Sequence, residues 1–336
     1  MAKKILKAFL IILFGFGLYI FIPRNYGVCE FEAREGVKYW DLPTGSKIGY
    51  SFLKGKGDKQ LCPIVYLHGG PGGKITENTI EFFKPLAEDG YDIYLYDQIG
   101  SGHSARLDDI KEYSVKRHEE DLAAIIETIS TEKVILFGHS WGTLLASEFY
   151  ALHPEKVESL IYSGPGPMLP INQKLKMLVP PDSLNLFPPK FSNKDGYEKV
   201  NNLRNKIIFR WAIMFGKKLV SDKEADHFQT FLNQELSKSC TCYGDTSKYE
   251  LGDGYYSQLM TVRSFNNVVD KRTEIKGNST PLLILKGQCD NQSWAYTQEY
   301  LNLFSNSELH IIKNAGHSIE ESRQMEYIEL IREFLN

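Results

Sequence analysis

Three short apolar runs, each followed by a glycine-rich segment, constrain the fold of this 336-residue chain more than any other feature. They occupy residues 63–67 (PIVYL), 91–96 (YDIYLY) and 133–137 (KVILF). Their length and their β-branched and aromatic residues are typical of strands buried on both faces. Helix-like stretches separate them, and strands that alternate with helices form a mostly parallel sheet. The pattern therefore predicts an α/β fold.

The alternation continues before and after these runs. An antiparallel lead-in is predicted over residues 28–56, with Lys47–Leu53 as its clearest strand, and an amphipathic helix over residues 114–130, where apolar residues recur at helical spacing. Further strands are predicted at 157–163, 281–286 and 308–313, and further helices at 144–153, 294–304 and 322–335.

Between residues 165 and 280 the alternation stops. This stretch holds proline clusters and many aromatic residues, without a clear strand pattern. We expect a helical insertion in one catalytic domain. The predicted organisation is an N-terminal segment (1–27), a first core part (28–164), the insertion (165–280) and a second core part (281–336).

The N-terminal segment combines three lysines with a long uncharged run. Lys3, Lys4 and Lys7 precede residues 8–23, which carry no charge. The length favours an uncleaved membrane anchor, and the lysines place the N-terminus inside and the main domain outside the cell membrane. Small residues of a cleavage site are missing around residues 24–27. A cleaved signal of a secreted protein and a buried core helix are the alternatives.

Charge and composition exclude several classes of protein. The net charge is −3, so the chain has no basic excess with which to bind a nucleic acid. With 42% hydrophobic and 24% charged residues, it is neither disordered nor a polytopic membrane protein. No glycine motif of a dinucleotide site follows a strand, and we expect no metal or organic cofactor. The oligomeric state is left open.

The five cysteines are too few for a disulfide scaffold, and their odd number leaves at least one thiol free. Cys240 and Cys242 are separated by one residue, which is not the spacing of a zinc finger. They form either a tight disulfide with each other or two free thiols. The state of Cys289 is left open, as the sequence gives it no partner.

A candidate nucleophile lies in Gly138-His139-Ser140-Trp141-Gly142, which fits G-x-S-x-G directly after a predicted strand and before a predicted helix. The glycines allow a sharp turn with strained backbone angles, and this turn lifts the hydroxyl of Ser140 above the sheet. A plain strand–turn–helix is the alternative interpretation.

A nucleophilic serine needs a base, and the base needs an orienting acid. Asp290 follows the strand predicted at 281–286, and His317 follows the one predicted at 308–313. The chain order of serine, aspartate and histidine is the one described for α/β-hydrolases. We therefore expect Ser140, Asp290 and His317 to form a catalytic triad.

The segment His68-Gly69-Gly70-Pro71-Gly72-Gly73 follows the first core strand. Its backbone N–H groups, most of all that of Gly70, are expected to face the serine. Together with the N–H of Trp141, that of Gly70 would bind the oxyanion of a tetrahedral intermediate. The alternative is a tight turn without a catalytic role. We expect His68 to hold the loop by side-chain hydrogen bonds.

These motifs together resemble the proline iminopeptidase (prolyl aminopeptidase) family of α/β-hydrolase serine peptidases. The resemblance covers about residues 40–167 and 281–336, and therefore not the insertion. The matching segments are HGGPG at 68–72, DQIGSGHS at 97–104, GHSWG at 138–142, ALHP at 151–154, GQCD at 287–290 and AGHS at 315–318.

The resemblance implies a mostly parallel central sheet flanked by helices, with a helical lid over the serine. It implies that Ser140 is the nucleophile, that His317 is the general base and acid, and that Asp290 orients His317. Gly70 and Trp141 would form the oxyanion hole. Members of the family release N-terminal residues, proline especially, from short peptides, and lid carboxylates hold the free amino group.

The insertion does not show the glutamate-containing segment of that family, so the substrate contacts are not assigned. Seven acidic residues are candidates for holding the amine, although each is expected to be a solvated surface charge: Asp222, Glu224, Asp226, Glu235, Asp245, Glu250 and Asp253. Five aromatic residues are candidates for lining a pocket, although each is expected in the core of the insertion: Phe209, Trp211, Phe215, Tyr255 and Tyr256.

Three functions follow from these residues. The first is a membrane-anchored aminopeptidase that cleaves a peptide or amide bond beside a free amine. The second is an esterase or acyl-hydrolase of the same fold that acts on small esters or lipids. The third is a catalytically silent binding protein, against which the intact Ser140, Asp290 and His317 argue.

Overall fold

A computed structural model of the chain describes residues 1–28, 31–58, 60–244, 251–319 and 323–336. Its strands are β1 (Lys38–Asp41), β2 (Lys47–Leu53), β3 (Ile64–Leu67), β4 (Ile93–Tyr96), β5 (Val134–His139), β6 (Val157–Ser163), β7 (Leu282–Gly287) and β8 (Ser307–Ile312). Its helices are α1 (Ala2–Phe21), α2 (Glu77–Glu88), α3 (Val115–Ile129), α4 (Trp141–Leu152), α5 (Asn193–Val200), α6 (Leu203–Phe215), α7 (Asp222–Leu236), α8 (Tyr255–Ser264), α9 (Arg272–Ile275), α10 (Trp294–Leu303) and α11 (Gln324–Leu335).

The strands form one eight-stranded sheet in the order β1-β2-β4-β3-β5-β6-β7-β8. Strand β2 pairs antiparallel with β1 and β4, and the pairs from β4 to β8 are parallel. Since parallel strands all end at the same edge of the sheet, the loops after β3, β5, β7 and β8 meet there. The predicted α/β architecture with a mostly parallel sheet is confirmed.

Side chains that alternate along each strand build an apolar layer on both faces of the sheet. On β3, Val65 and Leu67 pack into the layer that contains Leu144 of α4, whereas Ile64 and Tyr66 pack into the layer that contains Phe83 of α2. Strand β3 is fully buried. Burial on both faces explains why the central strands appear in the sequence as continuous apolar runs.

Most predicted elements lie within a few residues of their observed positions. Helix α3 begins after Ser114, whose side chain accepts the N–H of Arg117, and ends at Ser130 in a left-handed conformation. Helix α2 was not predicted. It has Pro85 inside it, and Thr76 caps its first turn.

The segment predicted as an insertion is helical. Helices α5 to α9 lie between β6 and β7, and no strand occurs among the described residues of that stretch. The domain boundaries at residues 164 and 280 stay predictions.

Helix α1 is the one described helix long and apolar enough to cross a membrane, with a mean hydropathy of 2.0. Only 6% of its apolar window is buried, and Ile20 is its single buried residue. The alternative of a buried core helix is therefore wrong. A membrane anchor and a signal segment pass the same test of length and composition.

Candidate active site

Ser140 lies on the sharp turn between β5 and α4, with φ 53° and ψ −117°. A side chain is rarely tolerated at its glycine neighbours. A Cβ at Gly138 would lie 2.6 Å from the carbonyl oxygen of Gly142, and a Cβ at Gly142 would lie 1.9 Å from that of Leu67. The predicted sharp turn after a strand and before a helix is confirmed, and close packing of the backbone is the reason for both glycines.

The structure brings the three predicted side chains together. The Nε2 atom of His317 lies 2.9 Å from the Oγ atom of Ser140, and its Nδ1 atom lies 2.9 Å from an Oδ1 oxygen of Asp290. Both distances are those of hydrogen bonds. A neutral imidazole with its proton on Nδ1 would donate to the carboxylate and accept from the hydroxyl. This arrangement can remove a proton from Ser140.

The carboxylate of Asp290 is fully buried and has further partners. Oδ2 accepts a hydrogen bond from the Nζ of Lys286 at 3.0 Å, and Oδ1 accepts the N–H of Gln292 at 2.9 Å. Burial alone would raise the pKa of Asp290, but Lys286, His317 and these hydrogen bonds hold that pKa below its ordinary value. The carboxylate of Asp290 is therefore ionised where it contacts the His317 ring.

Sequence reasoning missed Lys286. It lies in β7 and is 2% exposed, in a strand otherwise formed by apolar residues and a terminal glycine. Its ammonium also donates to the carbonyl oxygen of Gln292 at 3.0 Å. The sequence did contain a signal for it, a lysine at the end of an apolar run and four residues before the candidate acid. A lysine in a buried strand needs a paired charge, and Asp290 is the nearby carboxylate.

Two further histidines surround the serine without being free to take up protons. Burial and the nearby His317 lower the pKa of His139 to about 3, and the two rings lie 5.1 Å apart. Burial also lowers the pKa of His68. The Nε2 atom of His68 accepts the N–H of Gln98 at 2.9 Å, and its Nδ1 lies 2.9 Å from the carbonyl oxygen of Gly69. The predicted structural role of His68 is confirmed by these contacts.

The two predicted oxyanion-hole residues lie beside Ser140. Gly70, with φ +126°, lines the same cavity as Ser140, and a Cβ at the neighbouring Gly69 would lie 3.1 Å from that of the serine. Trp141 is the first residue of α4, where the backbone N–H has no acceptor within the helix. Its indole donates to Gln98 at 2.8 Å, so the side chain is fixed in the core. Their role as donors stays a prediction.

A cavity of about 470 Å³ opens above the serine. Its floor contains Ser140, His317 and Gly70. Helices and loops of the segment 165–280 supply the other side, with Asn193, Tyr197, Asn233, Leu236, Asp253 and Gln258. The volume is sufficient for a small organic molecule.

Asp253 is the one carboxylate among the described residues that line this cavity. It is 1% exposed; its Oδ1 lies 3.2 Å from the Nζ of Lys74, and its Oδ2 accepts no hydrogen bond from the described residues. The backbone around it is fixed to the core, because Gly254 donates its N–H to the carbonyl oxygen of Gly72 at 2.7 Å. The expectation that Asp253 is a solvated surface charge is wrong.

The other acidic candidates divide into two groups. Asp222 and Glu235 form ion pairs with lysines near the surface. Glu224 and Asp226 are buried, contrary to expectation, because each neutralises a partly or fully buried arginine, Arg204 or Arg106. Asp245 and Glu250 lie outside the described residues.

The aromatic candidates also differ from expectation. Tyr255 and Tyr256 are buried in the helical segment, as predicted for its core. Phe209, Trp211 and Phe215 are exposed on α6, and none of them lines the cavity above Ser140. For these three residues, the prediction of a core or pocket position is wrong.

A disulfide joins Cys242, in the segment after α7, to Cys289, which precedes the acid. The predicted alternatives for Cys240 and Cys242 are therefore both wrong: the pair does not bond to itself, and only Cys240 has a free thiol. Burial raises the pKa of Cys240 to about 11. Cys62 is also free, and Cys29 lies outside the described residues.

Comparisons with known proteins agree with this fold. The family model described as alpha/beta hydrolase fold matches residues 63–322. The proline iminopeptidase of Heyndrickxia coagulans is 29% identical over 299 residues, which cover 87% of this chain and 96% of that protein.

Among solved structures, the proline iminopeptidase of Mycobacterium smegmatis has a TM-score of 0.57 at 16% identity and covers 89% of this chain and 97% of its own. An esterase of Exiguobacterium antarcticum has a TM-score of 0.56 at 18% identity, with coverage of 88% and 98%. At such identities these two structures support the fold alone.

Proposed function

The chain belongs to the α/β-hydrolase fold family, and we propose that within this family it is a serine aminopeptidase. Ser140 is the nucleophile, His317 the general base and acid, and Asp290 the residue that orients His317. The observation that carries the proposal is the chain of two hydrogen bonds, each 2.9 Å long, from Ser140 through His317 to Asp290.

The reaction begins when the Oγ of Ser140 attacks the carbonyl carbon of the substrate and Nε2 of His317 takes the hydroxyl proton. The N–H groups of Gly70 and Trp141 bind the oxyanion of the tetrahedral intermediate. The C–N bond then breaks, and His317 gives its proton to the leaving amine. Water, deprotonated by His317, attacks the acyl-enzyme and releases the amino acid and the free serine.

Asp253 is the residue proposed to bind the free amino group of the substrate. An ammonium that enters the cavity finds in Oδ2 of Asp253 a buried acceptor with no described partner. A charge-assisted hydrogen bond there would select substrates with a free N-terminus. The similarity to proteins named proline iminopeptidase supports this substrate class, with proline as the first residue to test.

An esterase or acyl-hydrolase is the second candidate, and the Lys74 ammonium is the observation that favours it. Lys74 lies 3.2 Å from Asp253 and neutralises its charge, which weakens attraction for a substrate ammonium. A substrate without an amine would then bind equally well, and the same triad would cleave its ester bond.

We further propose that α1 is an uncleaved anchor and that the hydrolase lies on the outer side of the membrane. The twenty-residue helix has the length of a membrane span, and its first turns carry the lysines that are expected to stay inside. The disulfide between Cys242 and Cys289 fits an oxidising compartment. Protease added to intact cells should cleave the hydrolase domain; a protected domain refutes this orientation.

The substrate is tested with the full chain in detergent micelles. Amides of proline, alanine and other amino acids are compared with their N-acetylated forms and with short-chain esters. Ser140→Ala is measured beside Ser237→Ala, a matched change of a cavity-lining hydroxyl that bonds within its own turn.

Turnover of free-amine amides alone, lost in Ser140→Ala and kept in Ser237→Ala, supports the aminopeptidase. Equal turnover of acetylated amides, or turnover of esters only, refutes the aminopeptidase and supports the second candidate. Full activity of Ser140→Ala refutes the whole mechanism.

A further inference from the structure

Helix α6 exposes side chains that a water-facing helix of a soluble domain usually lacks. We call six exposed side chains of this helix its outer face: Leu203, Lys206, Arg210, Trp211, Met214 and Phe215. Met214 is 70% exposed and Phe215 is 50% exposed. The opposite side of the helix is buried through Arg204, Asn205, Ile208 and Ala212. The outer face is therefore an apolar surface that no described part of the chain covers.

The charges on α6 are all positive. The helix contains no aspartate or glutamate; Lys206 and Arg210 are exposed among the apolar side chains, and Lys217 is exposed just after the helix ends. Apolar and aromatic side chains mixed with lysine and arginine are typical of helices that lie in the interface of a membrane with anionic lipids.

The first turn of α6 is bound to the end of α1. Arg204, which is 2% exposed, donates hydrogen bonds to the carbonyl oxygens of Ile20 at 3.0 Å and Ile22 at 3.3 Å. Its guanidinium also forms an ion pair of 2.6 Å with Glu224. Glu224 in turn accepts the N–H of Arg24 at 3.0 Å. The chain that leaves α1 is thus fixed to α6 and α7 by buried, charge-assisted contacts.

The residues after this contact continue it. Tyr26 donates a hydrogen bond to Asn205 at 3.2 Å, and its ring lies against Phe228 and Phe231 with centroids 5.5 and 6.1 Å away. No flexible linker therefore separates α1 from the helical segment at this point. The position of α1 in a membrane fixes the position of α6.

The length of α1 sets that position. Twenty residues at about 1.5 Å each span about 30 Å, which is the thickness of the hydrocarbon core of a bilayer. The side chains of Lys3, Lys4 and Lys7, in the first turns of α1, would extend back to the inner surface. When α1 spans the membrane, Ile20 and Ile22 lie where the hydrocarbon core ends. Because Arg204 binds both carbonyl groups, the beginning of α6 lies at the same depth.

We infer that the outer face of α6 docks on the outer surface of the bilayer that α1 spans, with its apolar side chains among the acyl chains and its basic side chains at the lipid phosphates. The inference rests on the proposed role of α1 as an anchor. Docking of α6 adds a second contact with the membrane and so strengthens the orientation of the hydrolase that the fixed link between α1 and α6 sets.

The test uses the full chain in vesicles of phosphatidylcholine mixed with phosphatidylglycerol, with a photoreactive diazirine amino acid at one position at a time. Met214 probes the outer face of α6, and Ile11, 71% exposed, probes α1. Leu61 is the matched control, since it is apolar, 93% exposed and located before β3, at the sheet edge opposite to Ser140. Crosslinks to lipid are counted by mass spectrometry.

Docking predicts lipid crosslinks from Ile11 and Met214, with a yield at Met214 about tenfold or more above that at Leu61, because interfacial helices bury their apolar face by about 5–10 Å. Replacing Arg210 and Lys206 by glutamate should lower the Met214 yield and leave the Ile11 yield unchanged. Crosslinks from Ile11 with a Met214 yield equal to that of Leu61 overturn docking and leave the anchor standing. Absence of crosslinks from Ile11 overturns the anchor, and the docking inference with it.

A second measurement in the same vesicles distinguishes a failure of this inference from a failure of the hydrolase proposal. Amide or ester turnover is measured on each diazirine variant, whose substitutions lie outside the cavity above Ser140. Activity with no Met214 crosslink rejects docking alone, and a Met214 crosslink without turnover of any substrate rejects the hydrolase proposal alone.

Discussion

The ammonium of Lys286 lies 3.0 Å from the Oδ2 of Asp290, and both side chains are almost completely buried, at 2% and 0% exposure. Asp290 therefore has a charged or ionisable side chain on each oxygen, Lys286 on Oδ2 and His317 on Oδ1. Because the lysine favours the ionised carboxylate, it keeps Asp290 able to accept the His317 hydrogen bond.

Lys286→Met should move the acid limb of the pH profile to higher pH. Without the ammonium, burial raises the pKa of Asp290, and a protonated carboxyl no longer stabilises a charged His317. A nearby opposite charge shifts a carboxyl pKa by about 1–3 units, so we expect the loss of kcat/KM on acidification to begin at a higher pH than in the unchanged chain. The measurement is kcat/KM against pH on the amide or ester that the enzyme turns over.

The stability of Lys286→Met should also be lost at a higher pH than that of the unchanged chain. A carboxylate with a lowered pKa in the folded state stabilises the protein above its ordinary pKa and loses this contribution as pH falls. Loss of one partner of a buried ion pair costs about 3–5 kcal/mol, so Tm is recorded in parallel. Lys313→Met, which removes an exposed lysine just after β8, is the control. A pH limb that coincides in both variants contradicts the proposed role of Lys286.

Gly70→Ala should reduce turnover by about 10²-fold or more, since one oxyanion donor contributes about that factor. Gly70 has φ +126°, and a Cβ there would lie 2.6 Å from the backbone nitrogen of Gly73, so the loop must shift away from the serine. Gly277→Ala is the matched control, with φ +92° and open space around the added methyl group. Equal kcat values for the two variants would mean that the loop does not bind the oxyanion.

Asp253→Asn should raise KM for free-amine substrates by about 10–100-fold, because a hydrogen bond to a charged group contributes about 1.5–3 kcal/mol. Hydrolysis of an ester that lacks the amine should change little. Glu235→Gln removes a carboxylate that pairs with Lys199 and Lys238 and does not line the cavity, and it provides the control. An unchanged KM for the amide in Asp253→Asn excludes this residue as the amine site.

The double variant Cys242→Ser/Cys289→Ser should unfold about 6 °C lower than the unchanged chain. A cross-link with a sequence separation of 47 residues contributes about 4 kcal/mol in the chain-entropy account. Thermal unfolding of the full chain in detergent is the measurement, with Cys240→Ser as the control for a cysteine that carries no disulfide. Free thiols at both positions in the oxidised, unfolded protein would refute the bond.

The strands and the loops that carry the candidate site were predictable, because local patterns determine where a buried strand ends. Ser140, Asp290 and His317 each follow such a strand, and parallel pairing brings their loops to one sheet edge. Helix α2 was not predicted because Pro85 interrupts its helical pattern of apolar residues near its C-terminal end. Capping by Thr76 was the signal that marks its beginning.

What could not be predicted depends on contacts between distant parts of the chain. Cys242 bonds to Cys289 because the helical segment folds back onto the acid loop. The number of residues between two cysteines does not tell how far apart they lie in the fold. The burial of Glu224 follows from Arg204, and Arg204 is buried by the chain that leaves α1. Aspartate and glutamate are usually exposed, so the expectation of a solvated charge at Asp253 failed where a cavity and Lys74 surround it.

The disulfide between Cys242 and Cys289 restricts how substrates can reach the serine. It attaches one point of the helical segment to the loop of Asp290. That point of the helical segment cannot separate from the acid loop while the bond is intact. This part of the segment and the carboxylate therefore stay together when a substrate enters the cavity and when a product leaves it.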